Sequence, residues 1–240
     1  MTWIQLKHTA NFFLEDAWKI KDSIIEATWE TLYMLILTCV IAGLLGLIFG
    51  VALTVTKKGG ILEHLPTYRL LDHSVNVFRS LPFIILMALL VPVTRFIVGK
   101  TIGATAATVP LIVATIPYYA RQIQIALLEV DPGKIEAATA MGLSRLDIIK
   151  DIYLIEGLPA ILRVSASTII NVIGLTTMAG VVGGGGLGTI AIAKGYHRNR
   201  FDVILVATLL ILLLVWMSEG IFKYWTNKVN HTKTSFVSEK

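Results

Sequence analysis

From Thr31 to Thr56 the chain carries no charged side chain at all. A helix of that length, at about 1.5 Å per residue, is longer than the roughly 30 Å hydrocarbon core of a bilayer. Four more apolar blocks follow, at about Val75–Val93, Thr101–Ala120, Gly157–Val182 and Val203–Phe222. Only 15% of the chain is charged and 55% is hydrophobic, against about 25% charged residues in ordinary soluble domains. The expectation is an all-α, polytopic transmembrane helix bundle of five spans. Residues 31–225 form one membrane domain, flanked by an N-terminal segment 1–30 and a tail 226–240.

The N-terminal segment does not read as a cleaved signal peptide, because Glu15, Asp16, Asp22, Glu26 and Glu30 interrupt any apolar stretch. Trp3, Phe12, Phe13, Trp18 and Trp29 suggest a helix lying at the membrane interface instead. With five spans the termini lie on opposite sides. Placing the C-terminus in the cytoplasm puts thirteen of the 21 Lys and Arg residues inside, which is the direction that the positive-inside rule favours. The segment Arg121–Glu156 is then cytoplasmic, and the glycine-rich stretch after Val182 faces outward. The net charge of +5 forms no compact basic face, so nucleic acid is not an expected partner. Cys39 lies within an apolar run and reads as a small buried hydrophobe. His8, His64, His73, His197 and His231 are scattered and form no catalytic or metal-binding set.

The polar island Arg121–Glu156 carries its own folding signals. Asp131 can cap a helix whose first residue is Pro132. Glu136 falls in the second turn, and Gly142 is placed to end the helix in the left-handed conformation. Ser144 starts a second helix, with Asp147 three residues on as a capping box. Ile135, Ala138 and Met141 are expected along one face, and the small Ala137 and Ala138 would allow another surface to approach closely. On these grounds alone the island is either an ordered connector at the interface or a docking element.

Glu136-Ala137-Ala138, followed by Gly142 and then Leu158-Pro159, resembles the signature loop of the permeases of bacterial ABC importers. The resemblance extends over most of the chain beyond residue 20. Arg79-Ser80-Leu81-Pro82-Phe83-Ile84-Ile85, Ala120-Arg121, Ala126-Leu127-Leu128-Glu129-Val130-Asp131, Met178-Ala179-Gly180 and Gly185-Gly186-Leu187-Gly188 are similar to the methionine-importer branch. One departure is Ile155, where the family commonly has proline. The resemblance implies a homodimer of permeases in the cytoplasmic (inner) membrane. It implies a coupling helix at Glu136, Ala137, Ala138, Met141 and Gly142, seated in a cleft of each of two ABC ATPase subunits. It implies that ATP and Mg are bound by those ATPase subunits, and that a substrate-binding protein, often lipid-anchored, delivers amino acid at the outer face. Alternating access is the implied mechanism.

Other positions are read beside this. Asn171, Leu175, Thr176, Thr177 and Met178 on the fourth span are candidates for the substrate path, since polar or polarizable groups in a span face protein or water. The position of Met178 lies in the central cavity in the methionine branch, and Leu175 stands where other members can have an aromatic residue. Gly183, Gly185, Gly186 and Gly188 form a tight outer turn or gate. Their accidental match to GxGxxG lacks the strand before it and the acid after it that a dinucleotide site needs. Gly46 and Gly50, and Gly180 and Gly184, have the spacing of close helix packing. Arg163 is expected to snorkel to the inner interface from the start of the fourth span, or to form an ion pair with a loop acid of a partner. No GxxxxGK[ST] occurs, so ATP hydrolysis is expected in a separate chain. The alternatives are a permease of the same superfamily with another amino acid or small solute as cargo, a stand-alone channel or secondary carrier, and a membrane enzyme. The spans carry no relay of acids for the second and no cluster of catalytic groups for the third.

Overall fold

The computed structural model describes residues 17–238, and every regular element in that range is a helix. In chain order these are α1 (Lys21–Thr56), α2 (Leu65–Ser80), α3 (Phe83–Leu89), α4 (Val91–Val98), α5 (Ala104–Leu128), α6 (Pro132–Ala140), α7 (Arg145–Asp147), α8 (Ile155–Val181), α9 (Gly186–Thr189) and α10 (Phe201–Ser238). Wide π-helical turns at Ile148–Leu154 and Ile190–Gly195 join α7 to α8 and follow α9. Helix α1, the run Arg145–Val181, α5 and the part of α10 up to Lys228 are each long and apolar enough to cross a membrane. The pair α2 plus α3 qualifies only when taken together, which brings the count to five.

Three boundaries differ from expectation. Residues 21–30 are the first turns of α1 and not a separate interfacial element; no Gly or Pro separates them from the apolar run. Trp3, Phe12 and Phe13 lie outside the described residues. The second span is broken at Leu81, whose extended backbone (φ −78°, ψ 125°) is the conformation that the following Pro82 imposes. Helix α10 continues through Ser238 because nothing after Gly220 breaks it: no Gly or Pro occurs from there to the end of the chain.

The chain divides into two compact units. Among the described residues, one comprises 17–39, Phe83–Leu111 and Asn171–Met217; the other comprises Val40–Pro82, Ile112–Ile170 and 218–238. In the first, Ala17, Ile24, Ala27, Leu187, Ile190, Val203 and Ala207 form a buried cluster, and the Ala17 N–H donates to Asp202 Oδ2 at 2.7 Å. In the second, Val55, Tyr119, Ile123, Leu127, Val130, Ala138, Ile148, Tyr153 and Ile161 form one core. That core draws residues from α1, α5, α6, the π turn and α8, so the polar island is packed against the spans that flank it.

Lipid tails are as apolar as leucine, so helices in a bilayer associate by close packing and not by hydrophobic exclusion. Gly46 and Gly50 show this directly. A Cβ on Gly50 would lie 2.5 Å from the Ile123 Cβ and 2.7 Å from the Ala120 carbonyl oxygen, and one on Gly46 would meet Tyr119 at 2.8 Å. At Gly43 nothing lies within 4 Å. Gly50→Ala is therefore expected to destabilise the solubilised protein by about 1–3 kcal/mol, while Gly43→Ala leaves it unchanged or slightly firmer. The thermal unfolding midpoints of the two variants check this, and equal midpoints would contradict the α1–α5 contact.

Candidate functional site

The loop helix α6 is held at both ends by its own residues. Asp131 Oδ1 accepts from the Gly133 N–H at 2.8 Å, with Pro132 at the first helical position. At the other end the Leu143 N–H donates to the Ala138 carbonyl (3.1 Å) and the Gly142 N–H to the Thr139 carbonyl (3.0 Å). This is the paired closure that follows when the residue after the C-cap turns left-handed, and Gly142 does so with φ +79°. Ser144 then caps α7: its Oγ accepts from the Asp147 N–H (3.3 Å) and donates to Asp147 Oδ2 (2.5 Å). The helix ends read from the sequence at Asp131, Gly142 and Ser144 are present; at Ser144 the Asp147 carboxylate takes the hydroxyl and not the backbone N–H that a full capping box would use.

The faces of α6 are not as expected. Ile135 and Ala138 point into the core, and Ala138 is only 1% exposed. It is therefore unavailable as a contact for another protein. Met141 is 73% exposed and does not share that face. Steps of three residues drift by about 60° on a helix, and Met141 sits past the last helical residue. Glu136, Ala137, Met141 and Gly142 are exposed, as is Leu146. The outward surface of the island thus sets two large apolar side chains, Met141 and Leu146, among charged and small residues that include Lys134, Glu136, Ala137 and Arg145.

Two ion pairs fasten this loop to the spans. Lys134 Nζ lies 2.9 Å from Glu156 Oε2 at the start of α8. Arg163 Nη2 lies 2.9 Å from Glu129 Oε2 at the end of α5. Arg163 thus reaches the exposed end of α5 with its charged head. Both pairs are largely exposed, so each contributes little stability, about 0–1 kcal/mol; their effect is on orientation. Ile155, in place of the family's proline, keeps its place in a helix that runs on from the π turn into α8.

The second candidate region follows α8. The Gly184 N–H donates to the Ala179 carbonyl (2.8 Å) and the Gly183 N–H to the Gly180 carbonyl (3.4 Å), again with a left-handed glycine, Gly183 at φ +90°. The Gly183 carbonyl accepts from the Gly103 N–H at 2.9 Å. Side chains of α1 then cap the next helix. The Gly186 N–H donates to Glu30 Oε2 (2.6 Å) and the Leu187 N–H to Thr31 Oγ1 (2.9 Å). A Cβ on Gly185 would strike the Glu30 carboxylate, and one on Gly188 would lie 2.3 Å from the Thr177 carbonyl oxygen. Gly183, Gly185, Gly186 and Gly188 therefore form a close-packed turn in which the carboxylate also faces the positive end of a helix.

The five candidate path residues divide. Asn171, Leu175 and Met178 fall within about 60° on α8, and Met178 is 40% exposed. Thr176 is 1% exposed, with its hydroxyl donating to the Ile173 carbonyl at 2.7 Å. Thr177 is part-buried and bonds to the same carbonyl at 3.1 Å. Consecutive helical residues lie about 100° apart, so Thr176 and Thr177 cannot share the face of Met178. Residues missed at the sequence level are Glu30, Thr31 and Lys134. The only local sign of the first was an acid at the edge of an apolar run.

These features belong together in a known class. Residues 46–231 match the family described as a binding-protein-dependent transport system inner membrane component, and this chain is a member of that family. It is 44% identical over 210 residues to the probable D-methionine transport system permease protein MetI of Vibrio cholerae, covering 88% of this chain and 93% of that one. It is 39% identical over 224 residues to the methionine import system permease protein MetP of Bacillus subtilis, covering 93% and 98%. Among solved structures it superposes on a chain of the inward-facing MetNI methionine ABC transporter with a TM-score of 0.85 at 37% identity, covering 88% of this chain and 98% of that one. An amino acid ABC transporter with histidines shares the fold at a TM-score of 0.73 and 20% identity, covering 90% and 98%.

Two outcomes follow. At Gly142 the constraint is conformational, since nothing lies within 4 Å of a Cβ placed there. Gly142→Val is expected to destabilise the loop by about 1–2 kcal/mol, while Gly142→Asn, which tolerates the left-handed region, costs clearly less; differential scanning of the two variants reads the difference. At the outer turn, Glu30→Ala removes the carboxylate cap and is expected to speed amide exchange at Gly186 about tenfold, with Glu30→Gln intermediate. Unchanged exchange in Glu30→Ala would contradict the cap.

Proposed function

We propose that this chain is the membrane-spanning permease subunit of an ATP-driven methionine importer. Two copies form the translocation path, and each engages one of two ABC ATPase subunits that bind the ATP and Mg. A substrate-binding protein, lipid-anchored in this reading, delivers methionine at the outer face. The N-terminus lies outside and the C-terminus in the cytoplasm. The single observation that carries the coupling role is the combination at α6: an outward surface of Glu136, Ala137 and Met141 on a helix capped at both ends and packed into the core of its own unit through Ala138 and Ile135. The methionine assignment is supported by the relatives named above.

The mechanism follows from that packing. A push on the exposed side of α6 cannot be absorbed by unwinding, because the Asp131 cap and the Gly142 closure hold the helix as a short rod. Ala138, Ile148, Tyr153 and Leu127 share one core, and Lys134–Glu156 and Arg163–Glu129 brace it. ATP-driven closure of the ATPase pair would draw the two loops together and tilt the spans attached to them, giving alternating access by rigid-body movement. In this reading the face of Asn171, Leu175 and Met178 lines the path, with the adaptable thioether of Met178 suited to a methionine side chain. The turn at Gly183–Gly188 belongs to the outer gate.

Co-purification with the ATPase subunit, followed by ATPase assays with and without loaded binding protein, tests this. Glu136→Lys reverses the charge on the exposed face without touching the core. It is expected to leave the chain inserted while reducing methionine uptake and stimulated hydrolysis by about tenfold or more, the scale of a lost charge-assisted contact. Normal uptake in Glu136→Lys would remove α6 as the coupling element, and transport by the chain without any ATPase would overturn the importer reading.

A further inference from the structure

Helix α2 is the most polar of the helices that make up the five spans, and its polar residues are ordered. At about 100° per residue, Arg69, Asp72, His73, Asn76, Arg79 and Ser80 fall within an arc of about 120°. Leu70, Leu71 and Phe78 hold the opposite side, where they border a cavity of about 410 Å³ with Phe49, Ile116 and Pro117. Val75 is buried against Leu53 and Ala120. On the polar side, Arg69, His73, Asn76, Arg79 and Ser80 are all exposed.

Arg121 of α5 closes one edge of this arc. Its Nη2 donates to Asp72 Oδ1 (2.6 Å) and to Asn76 Oδ1 (2.9 Å), and its Nη1 donates to Gln124 Oε1 (2.6 Å). One carboxylate thus stands among three guanidinium groups and is bonded to one of them. Asp72 offsets Arg121, and Arg69 and Arg79 make no ion pair among the described residues. A guanidinium within a span needs water or a protein partner, because lipid offers neither. Arg79 lies four residues past the start of the second span, near Val75, so the part of the arc around it has to border water.

We infer that this arc borders the hydrated route of the cargo and that Arg79 is the docking point for the cargo's carboxylate. This rests on the reading of the chain as an amino-acid importer. A free amino acid always presents a carboxylate, whatever its side chain, and the planar fork of a guanidinium binds that group through two parallel hydrogen bonds. Arg69, about 15 Å away along the helix, extends the positive strip toward the start of α2. Asp72, already engaged by Arg121, keeps the strip from becoming so positive that the carboxylate is trapped. A phospholipid phosphate offers the same anionic chemistry, so the experiment has an arm for each source.

The test uses the assembled transporter in bilayers, in a Cys39→Ser background that leaves this chain without native thiol. Ser80→Cys is a near-isosteric reporter beside Arg79, and Phe78→Cys reports from the apolar side. Mixed-disulfide formation of each with a negatively charged, impermeant thiosulfonate, which releases sulfinate, is followed by mass spectrometry of this chain. Ser80→Cys is expected to react faster than Phe78→Cys. Millimolar methionine is expected to slow Ser80→Cys about fivefold, the effect of ligand at about four times its dissociation constant, and methioninol, which lacks the carboxylate, is expected not to. Arg79→Gln in the same chain should abolish the protection and Arg79→Lys should retain part of it. Equal reaction on the two faces, equal protection by methionine and methioninol, or protection that survives Arg79→Gln would overturn the proposal. So would protection that appears only when anionic lipid is present, which would assign Arg79 to a headgroup. Methionine uptake by the same preparation separates the two readings: uptake without carboxylate-dependent protection contradicts this site alone, whereas no uptake of methionine contradicts the cargo.

Discussion

Inside a bilayer no water is available to satisfy a backbone N–H or C=O, so each interruption of a helix must be closed by the chain itself. The connections of this molecule close their helix ends in the same way, both next to the spans and in the loop outside them. Three helix ends use the same device, a left-handed residue followed by two backward hydrogen bonds: Gly142 after α6, Gly183 after α8 and Asn199 before α10. Helix starts are met by side chains, Asp131 and Ser144 in the loop and Glu30 and Thr31 at the outer turn. A break closed in this way is rigid, so the connections between spans are ordered surfaces on which function can be placed.

The loop helix α6 shows the consequence. Its inner face is continuous with the core of the unit that contains Val40–Pro82, Ile112–Ile170 and 218–238, and its outer face is left for another surface. The ion pairs Lys134–Glu156 and Arg163–Glu129 do not stabilise the fold appreciably at their exposure, but they cross from the loop and the end of α5 to α8 and so restrict the direction in which α6 can move. The π turn at Ile148–Leu154 adds a wider, less regular turn between loop and span. Such turns recur at functional sites because the backbone there has alternative hydrogen-bonding registers nearby.

Local chemistry was legible in the sequence wherever a residue type demands one conformation. Asp131-Pro132, Gly142 and Ser144 marked the ends of α6 and the start of α7, and the absence of charge marked α1. Faces were harder to read. Thr176 adjoins Met178 in sequence but the 100° step of the helix turns it to another face, and Met141, at two three-residue steps from Ile135, drifts off the face of Ile135 and Ala138. Pro82 was visible within the second span, yet its effect, a break and not a bend in one helix, depended on the extended backbone at Leu81. Contacts between distant segments left no local mark. Glu30 meets Gly186 across 156 residues, and nothing near either position announces the other.

The account stands on the loop helix moving as a rod when nucleotide binds elsewhere. The direct measurement is the distance between spin labels at Met141→Cys on the two permease copies, in a Cys39→Ser background and with an ATPase subunit that binds but does not hydrolyse ATP. The account predicts that the distance shortens on addition of ATP and that its distribution stays narrow, as expected of a capped helix. An unchanged distance in a complex that still takes up methionine would contradict it.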